Sequence, residues 1–363
     1  MSKIAFSPAD TGSATFTLEA PATNTNRNIV LPDVSGTIGI NSQFGVFAKS
    51  DRGSVAWAKT GNGTAETAQK LWVEVNGAVL EVASGTSIAM PTLTAGTDYA
   101  IWLSPDGTLE ADASFTVPPT ANGRRVGGFH YAPGGNASAQ AGGDSTPQIN
   151  EYSFYDLKWR PACDDARGMT LVADGFWSDI YLLNTDPDTN GTSALGVTIA
   201  DGNSPPKVPA AFGGDGNADY GSFKWYECQE VLAAYGKKAP TYAEFMALAY
   251  GVTEETDRGS DPGTTQLDAA RTSKWGVIQA TGNLRVWGRD VIANGTGSGA
   301  WRDIAEDRGE IYTYNDDLRA GTFGGYWVHG TQAGSRCSLW VDSVAVSFNN
   351  ISGRGVASHL ILD

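Results

Sequence analysis

The chain has 363 residues, with 40 acidic against 25 basic side chains and a formal charge of −15 at neutral pH. A surplus of that sign repels nucleic-acid phosphates and anionic membrane surfaces, so neither nucleic acid nor membrane insertion is expected. At roughly 150 residues per domain the length accommodates about two to three domains with their own cores, and 18% charged residues with 45 Gly, 11 Trp, 13 Tyr and 13 Phe exclude an all-helical chain in favour of a turn-rich β protein.

Residues 1–43 read as short strands and turns: ATFTLEAP alternates from Ala14, NIVLPD supplies an apolar run, and SGTIGI closes on glycines. Such a segment cannot bury a core alone. It is expected to attach to a larger assembly or to copies of itself. MSKIAFSPADTGSATF has no apolar core of signal-peptide type, and no run approaches the ~20 apolar residues of a membrane span, so synthesis in a cytoplasm is expected.

Residues 44–161 carry longer strands. In KLWVEVNGAVLEVA, Asn76-Gly77 separates two alternating runs, and in TAGTDYAIWLSPDGTLEAD the turn is Pro105-Asp106-Gly107, which together predict a β-sandwich. From residue 162 the periodicity mixes. WYECQEVLAAYG spaces Cys228, Val231, Leu232 and Tyr235 as a helix that stops at Gly236, and Thr241 with Glu244 forms a capping-box pattern before FMALAYG. Short strands are predicted in KWGVIQA, LRVWGRD, FGGYW, SLWV and GVASHLILD, giving an α+β domain over 162–363.

Catalytic patterns are sparse. His130, His329 and His359 lie beside no nucleophile motif, and His359 reads as a hydrogen-bonded core residue. Cys163, Cys228 and Cys337 share no metal or disulfide spacing and are expected as buried free thiols. Asp186-Pro-Asp188-Thr-Asn190 and Asp215, Asn217, Asp219 begin like calcium loops but lack the closing acid, so they read as solvated acidic turns; calcium stays a minor alternative to no cofactor.

The residues from Gly324 onward are specific. Gly324, Gly325, Trp327, Gly334, Ser335, Arg336, Trp340, Gly353, Arg354 and Gly355 read as a scaffold: the glycines suit tight or left-handed turns, each Trp can bury roughly 150–250 Å², and the arginines can tie loop carbonyls or carboxylates together. Between them stand residues with no shared chemistry. Read alone, SVAVSF is an ordinary alternating strand.

The order RGMTLV, FWSDIYLL, VTIADG, FGGDG, the helix pair, SKWGV, LRVWG, FGGYW, GSR and RGVASHLIL, with TAGTDYAI, VGGFHYAPGGNASAQAGG and QINEYS before it, resembles the variable proteins of diversity-generating retroelements, a family of phage receptor-binding tail proteins. The likeness runs from about Phe44 to Asp363, whereas APATNTNR and the LPD–GTI pattern of the first segment are similar to parts of phage tail fibre proteins.

The resemblance implies a C-type lectin fold at the C-terminus after an all-β sandwich, a homotrimer at the distal tip of phage tail fibres, a tail fibre protein as partner, and recognition of a host cell-surface receptor, protein or glycan. It implies a variable region of about 324–359 in which Tyr326, Val328, His329, Gly330, Gln332, Leu339, Val341, Asp342, Val346, Phe348, Asn350 and Ile351 form a diversified, solvent-exposed receptor-binding face. Two further readings use the same fold. A formylglycine-generating oxidase needs a cysteine partner that Cys337 lacks, and a calcium-dependent sugar lectin needs an EPN or QPD ligand set that is not found. No catalytic residue is therefore expected.

Overall fold

The computed structural model describes residues 45–293, 298–302, 311–314 and 318–362. The reading of residues 1–43 lies outside the described residues.

In the first part, two antiparallel sheets enclose one core. One places strand Leu71–Val75 between Phe47–Lys49 and Ala78–Val82. The other runs Tyr155–Asp156, Arg124–Ala132, Thr97–Leu103, Leu109–Asp112, with Gln148–Ile149 also on Arg124–Ala132. Alternation decides which residues go inward: Leu71, Val73 and Val75 join Ile101, Leu103, Val126 and Phe129 in the core, while Trp72 and Glu74 face the other way. The turns form as their residues predict. Asn76 and Gly77 both take positive φ, 49° and 78°, and Gly107 donates back to the Ser104 carbonyl at 3.0 Å.

The second part is closed by its own ends. Its first and last strands, Trp159–Pro161 and Val356–Ile361, pair antiparallel, and the sheet continues through Phe176–Asp179 to Met169–Val172. A second four-stranded sheet runs Ser338–Ser343, Leu318–Phe323, Arg285–Ala293, Ile351–Ser352, the last pair parallel. Helices are few: α1 (Pro187–Asn190), α2 (Trp225–Ala234) and α3 (Tyr242–Leu248). α2 buries Cys228, Val231 and Leu232 and stops before Gly236, which takes φ +67°. α3 carries the capping box, the Glu244 carboxylate accepting from the Thr241 N–H at 2.7 Å. Phe245 and Leu248 of α3 meet Val286 and Phe323 of the second sheet in a dry core.

Two strand expectations fail here. KWGVIQA is a buried series of turns, because the Ser273 hydroxyl accepts from the N–H groups of Trp275 and Val277 and Gly276 takes φ +77°. FGGYW is strand only to Phe323, after which Gly324 and Gly325 turn the chain with φ +90° and +75°. Among the described residues, no helix is long and apolar enough to cross a membrane.

Candidate functional site

The stretch Gly324–Ile351 leaves the second sheet, loops over its end, returns as strand Ser338–Ser343, and re-enters the core at Ile351. Turns of its own, such as Cys337 N–H to the Gly334 carbonyl at 3.1 Å, are joined by anchors from groups outside it. The Glu254 carboxylate accepts from the Ser335 N–H at 2.8 Å and from its hydroxyl at 2.5 Å. Asp257 accepts from the Gly330 N–H, the Tyr242 hydroxyl donates to the Arg336 carbonyl at 2.8 Å, and the Phe223 N–H donates to the Ser347 hydroxyl at 2.8 Å. The Gly202 N–H donates to the Phe348 carbonyl at 3.0 Å, with no room for a larger residue: a Cβ on Gly202 would stand 2.7 Å from that backbone.

Glycine serves this frame in two ways. At Gly324 the left-handed φ and a Cβ position 2.8 Å from the Phe245 ring both demand it. Gly334, Gly353 and Gly355 have no positive φ; crowding selects them, since a Cβ would meet the Glu254 carboxylate at 2.4 Å, the Cys228 sulfur at 2.9 Å and the Asp179 carboxylate at 2.6 Å. The left-handed expectation is corrected for these three, although Gly334 does open a tight turn, its carbonyl accepting from the Cys337 N–H at 3.1 Å.

The other scaffold residues divide. Arg354 is wholly buried and donates to the carbonyls of Asp179, Ile180, Ile278 and Gln279, tying two segments together. Arg336, by contrast, is exposed and serves through its carbonyl. Trp327 and Trp340 are half-buried against the core shared with α3, rather than enclosed.

Among the expected recognition residues, Val328, Val341 and Phe348 are 59%, 63% and 43% exposed, large for apolar side chains, and Gly330 and Gln332 are also exposed. Tyr326, His329, Leu339, Val346 and Asn350 are half-buried at the same surface. Two positions do not belong there. Ile351 is fully buried because it enters the sheet beside Arg285, and Asp342 is 9% exposed because its carboxylate turns inward to a cation. Residues 351–357 are all buried, so the accessible part of the 324–359 region closes at Asn350 apart from the terminal strand's outer residues.

The cation is Arg285, which sequence reasoning missed. It donates to Asp342 Oδ2 at 2.5 Å and to Asn350 Oδ1 at 2.7 Å, and the Tyr326 ring lies 5.5 Å from its guanidinium carbon. Thr322 donates to the same Asp342 oxygen at 3.0 Å. His329 packs edge-on against Tyr326 with ring centres 4.2 Å apart, and burial, then the Arg285 charge, lowers its pKa below the usual histidine value. Its Nδ1 and the Arg285 Nε are buried without a hydrogen-bond partner among the described residues. The available signal was a single charge inside the apolar run of Leu284, Val286 and Trp287.

The remaining candidates have structural partners. His130 is buried between the Asp98 carboxylate and the Tyr181 hydroxyl, both at 3.0 Å, and His359 accepts from the Trp177 indole at 2.9 Å. Asp186 caps α1 and pairs with Lys207 at 2.7 Å, and Asp215 closes a turn through the N–H groups of Asn217 and Ala218. Cys163 and Cys228 are buried; Cys337 is only half-buried, against expectation, and burial still raises its thiol pKa.

Comparison with known proteins gives a consistent result. Residues 55–156 match the family described as the Mtd second domain. Over 329 residues the chain is 47% identical to the tail fiber receptor-binding protein of Bordetella phage BPP-1, covering 87% of this chain and 85% of that protein. Solved structures of the Major Tropism Determinant P3c and M1 variants match at 47% identity with TM-scores of 0.84 and 0.85, each over 88% of this chain and 87% of theirs.

Proposed function

This chain belongs to the Major Tropism Determinant family, and we propose from that premise that the Gly324–Asn350 surface is where it, a phage tail fibre receptor-binding protein, recognises its host. The observation that carries the assignment is the division of labour within that stretch. Its backbone is bonded to Glu254, Asp257, Tyr242, Trp225 and Gly202, none of which lies in it, while Val328, Val341 and Phe348 project into solvent. The exposed side chains there can change without changing the fold, which is what a diversified binding face requires. Exposed aromatic and aliphatic groups over a rigid frame also lose little entropy on binding.

Several finer readings accompany this one. The second part, closed by its first and last strands, supports a C-type lectin fold following a sandwich domain; because Trp159–Pro161 pairs with the terminal strand, the boundary falls just before Trp159 and not after 161. The diversified positions are the accessible ones, without Asp342 and Ile351 as direct contacts. Assembly as a homotrimer on the tail fibre tip, attached through residues 1–43, would multiply individually weak contacts; linked sites raise avidity by ~10²–10⁴. The protein is a binder and not an enzyme in this reading, and binding by these side chains requires no cofactor.

The test replaces Val328, Val341 and Phe348 together by Ala. Phage or isolated trimers carrying the triple variant should adsorb to host cells at least about tenfold less, since truncated hot-spot residues cost about 2 kcal/mol each, while the melting temperature stays within about 2 °C. Undiminished adsorption would sink the assignment. A collapse of the melting temperature would instead place these side chains in the core.

A further inference from the structure

The groups around the Arg285 guanidinium are unusual in their origin. Asp342 and Asn350 accept from it, Tyr326 stacks on it, and His329 packs on Tyr326; all four are positions expected to vary. Arg285 itself lies outside the stretch, at the start of a central strand, and is 5% exposed. Its Nε has no partner among the described residues, so its hydrogen-bonding capacity is not used up. A guanidinium is always charged, and when buried it needs acceptors for its donors, a carboxylate being the strongest. Here Asp342 supplies one.

We propose that Arg285 is a specificity-determining residue of the recognition face: Asp342 neutralises it internally in this chain, and replacing that carboxylate turns the guanidinium into a subsite for a carboxylate or sulfate group on the receptor. The inference rests on the receptor-binding reading only in naming the source of the anion; the guanidinium and its cover stand without it. A fixed cation under a changeable cover makes position 342 a switch between a neutral face, which favours apolar contacts through Val328, Val341 and Phe348, and an anion-seeking one. The planar fork of Arg285 matches carboxylate and sulfate oxygens in either case.

The experiment compares the full chain with Asp342→Ala and Asp342→Asn, each with and without Arg285→Met. Inorganic sulfate and acetate are titrated against chloride at equal ionic strength, with melting temperature and titration calorimetry as readouts. Sulfate stabilises most proteins through exclusion, so the wild-type response sets the baseline. Asp342→Ala should show a saturable response above that baseline, with sulfate bound at least about tenfold more tightly than by wild type, and adding Arg285→Met should remove it. Asp342→Asn keeps the side-chain volume and should give a smaller response of the same sign, which serves if the alanine variant does not fold. A response no different from wild type in both variants, or one that persists with Arg285→Met, overturns the proposal. Host adsorption of the Val328, Val341, Phe348 triple variant is read separately, so failure of the recognition assignment cannot be mistaken for failure of the anion subsite.

Discussion

Two buried arginines of the second part are satisfied in opposite ways. Arg354 spends its donors on four main-chain carbonyls, from Asp179, Ile180, Ile278 and Gln279. Arg285 spends its donors on the side chains of Asp342 and Asn350. A carbonyl is present whatever residue occupies its position, whereas a carboxylate vanishes with one substitution. The bonds of Arg354 therefore survive any substitution at its partners, and those of Arg285 do not.

The sharpest break of this comparison is at Arg354. Arg354→Met would remove four hydrogen bonds from a fully buried site; the Ile180 carbonyl keeps the Ile278 N–H at 2.8 Å and the Asp179 carbonyl the Ser178 hydroxyl at 3.1 Å, but Ile278 and Gln279 lose this donor, and a loss of about 4 kcal/mol is expected. Arg354→Lys should fare little better, because a single ammonium cannot span acceptors on two segments. Thermal denaturation or soluble yield reads both. Arg285→Met should cost less, since Thr322 still donates to Asp342.

The second contrast lies within the expected recognition set. Ile351→Ala empties a fully buried position and should destabilise by about 2–4 kcal/mol, while Val341→Ala, at 63% exposure, should stay within about 0.5 kcal/mol. Denaturant melts of the pair measure the difference; equal values would dissolve the boundary drawn at Asn350. Gly324→Ala follows, at about 1–3 kcal/mol, because it combines a left-handed φ with a clash against Phe245. Pairing it with Phe245→Leu should recover part of that loss if the contact matters.

Local chemistry was legible in the chain. The Asn76-Gly77 hairpin, the glycine end of α2 and the Thr241–Glu244 cap of α3 each depend on neighbours a few residues away. Failures arose where distant groups decide. A glycine chosen by crowding, as at Gly334, looks the same in sequence as one chosen by dihedral. KWGVIQA is apolar enough for a strand, and only the Ser273 hydroxyl turns it. Asp342 could not be read from alternation: the register slips so that Asp342 pairs with Ala320 and Leu339 with Thr322, which puts Asp342 on the Thr322 face while Trp340 packs against Phe323 on the other. The candidate face itself rested on the family likeness, because no spacing in the sequence says which loop faces a receptor.

The smallest effect expected concerns pH. Burial and the Arg285 charge hold the folded-state pKa of His329 below its unfolded value, and burial does the same for His359. Below the unfolded value near 6.5 the unfolded chain binds protons that the folded chain refuses, so stability rises with pH and is lost as pH falls from about 7 towards 5.5. His329→Gln should flatten part of that slope and His359→Gln another part, since neither glutamine titrates. Only the first lies on the proposed recognition face. Denaturation midpoints at pH 7.0 and 5.5 separate the two contributions; a slope that either substitution leaves untouched would mean that the corresponding histidine is already equally free to protonate in the folded chain. If Asp342→Asn at the same time lowers the His329 pKa further, seen by NMR titration, then the carboxylate has been offsetting Arg285 at the histidine as well as at the guanidinium, which ties the pH response of the face to the same side chain that neutralises its buried cation.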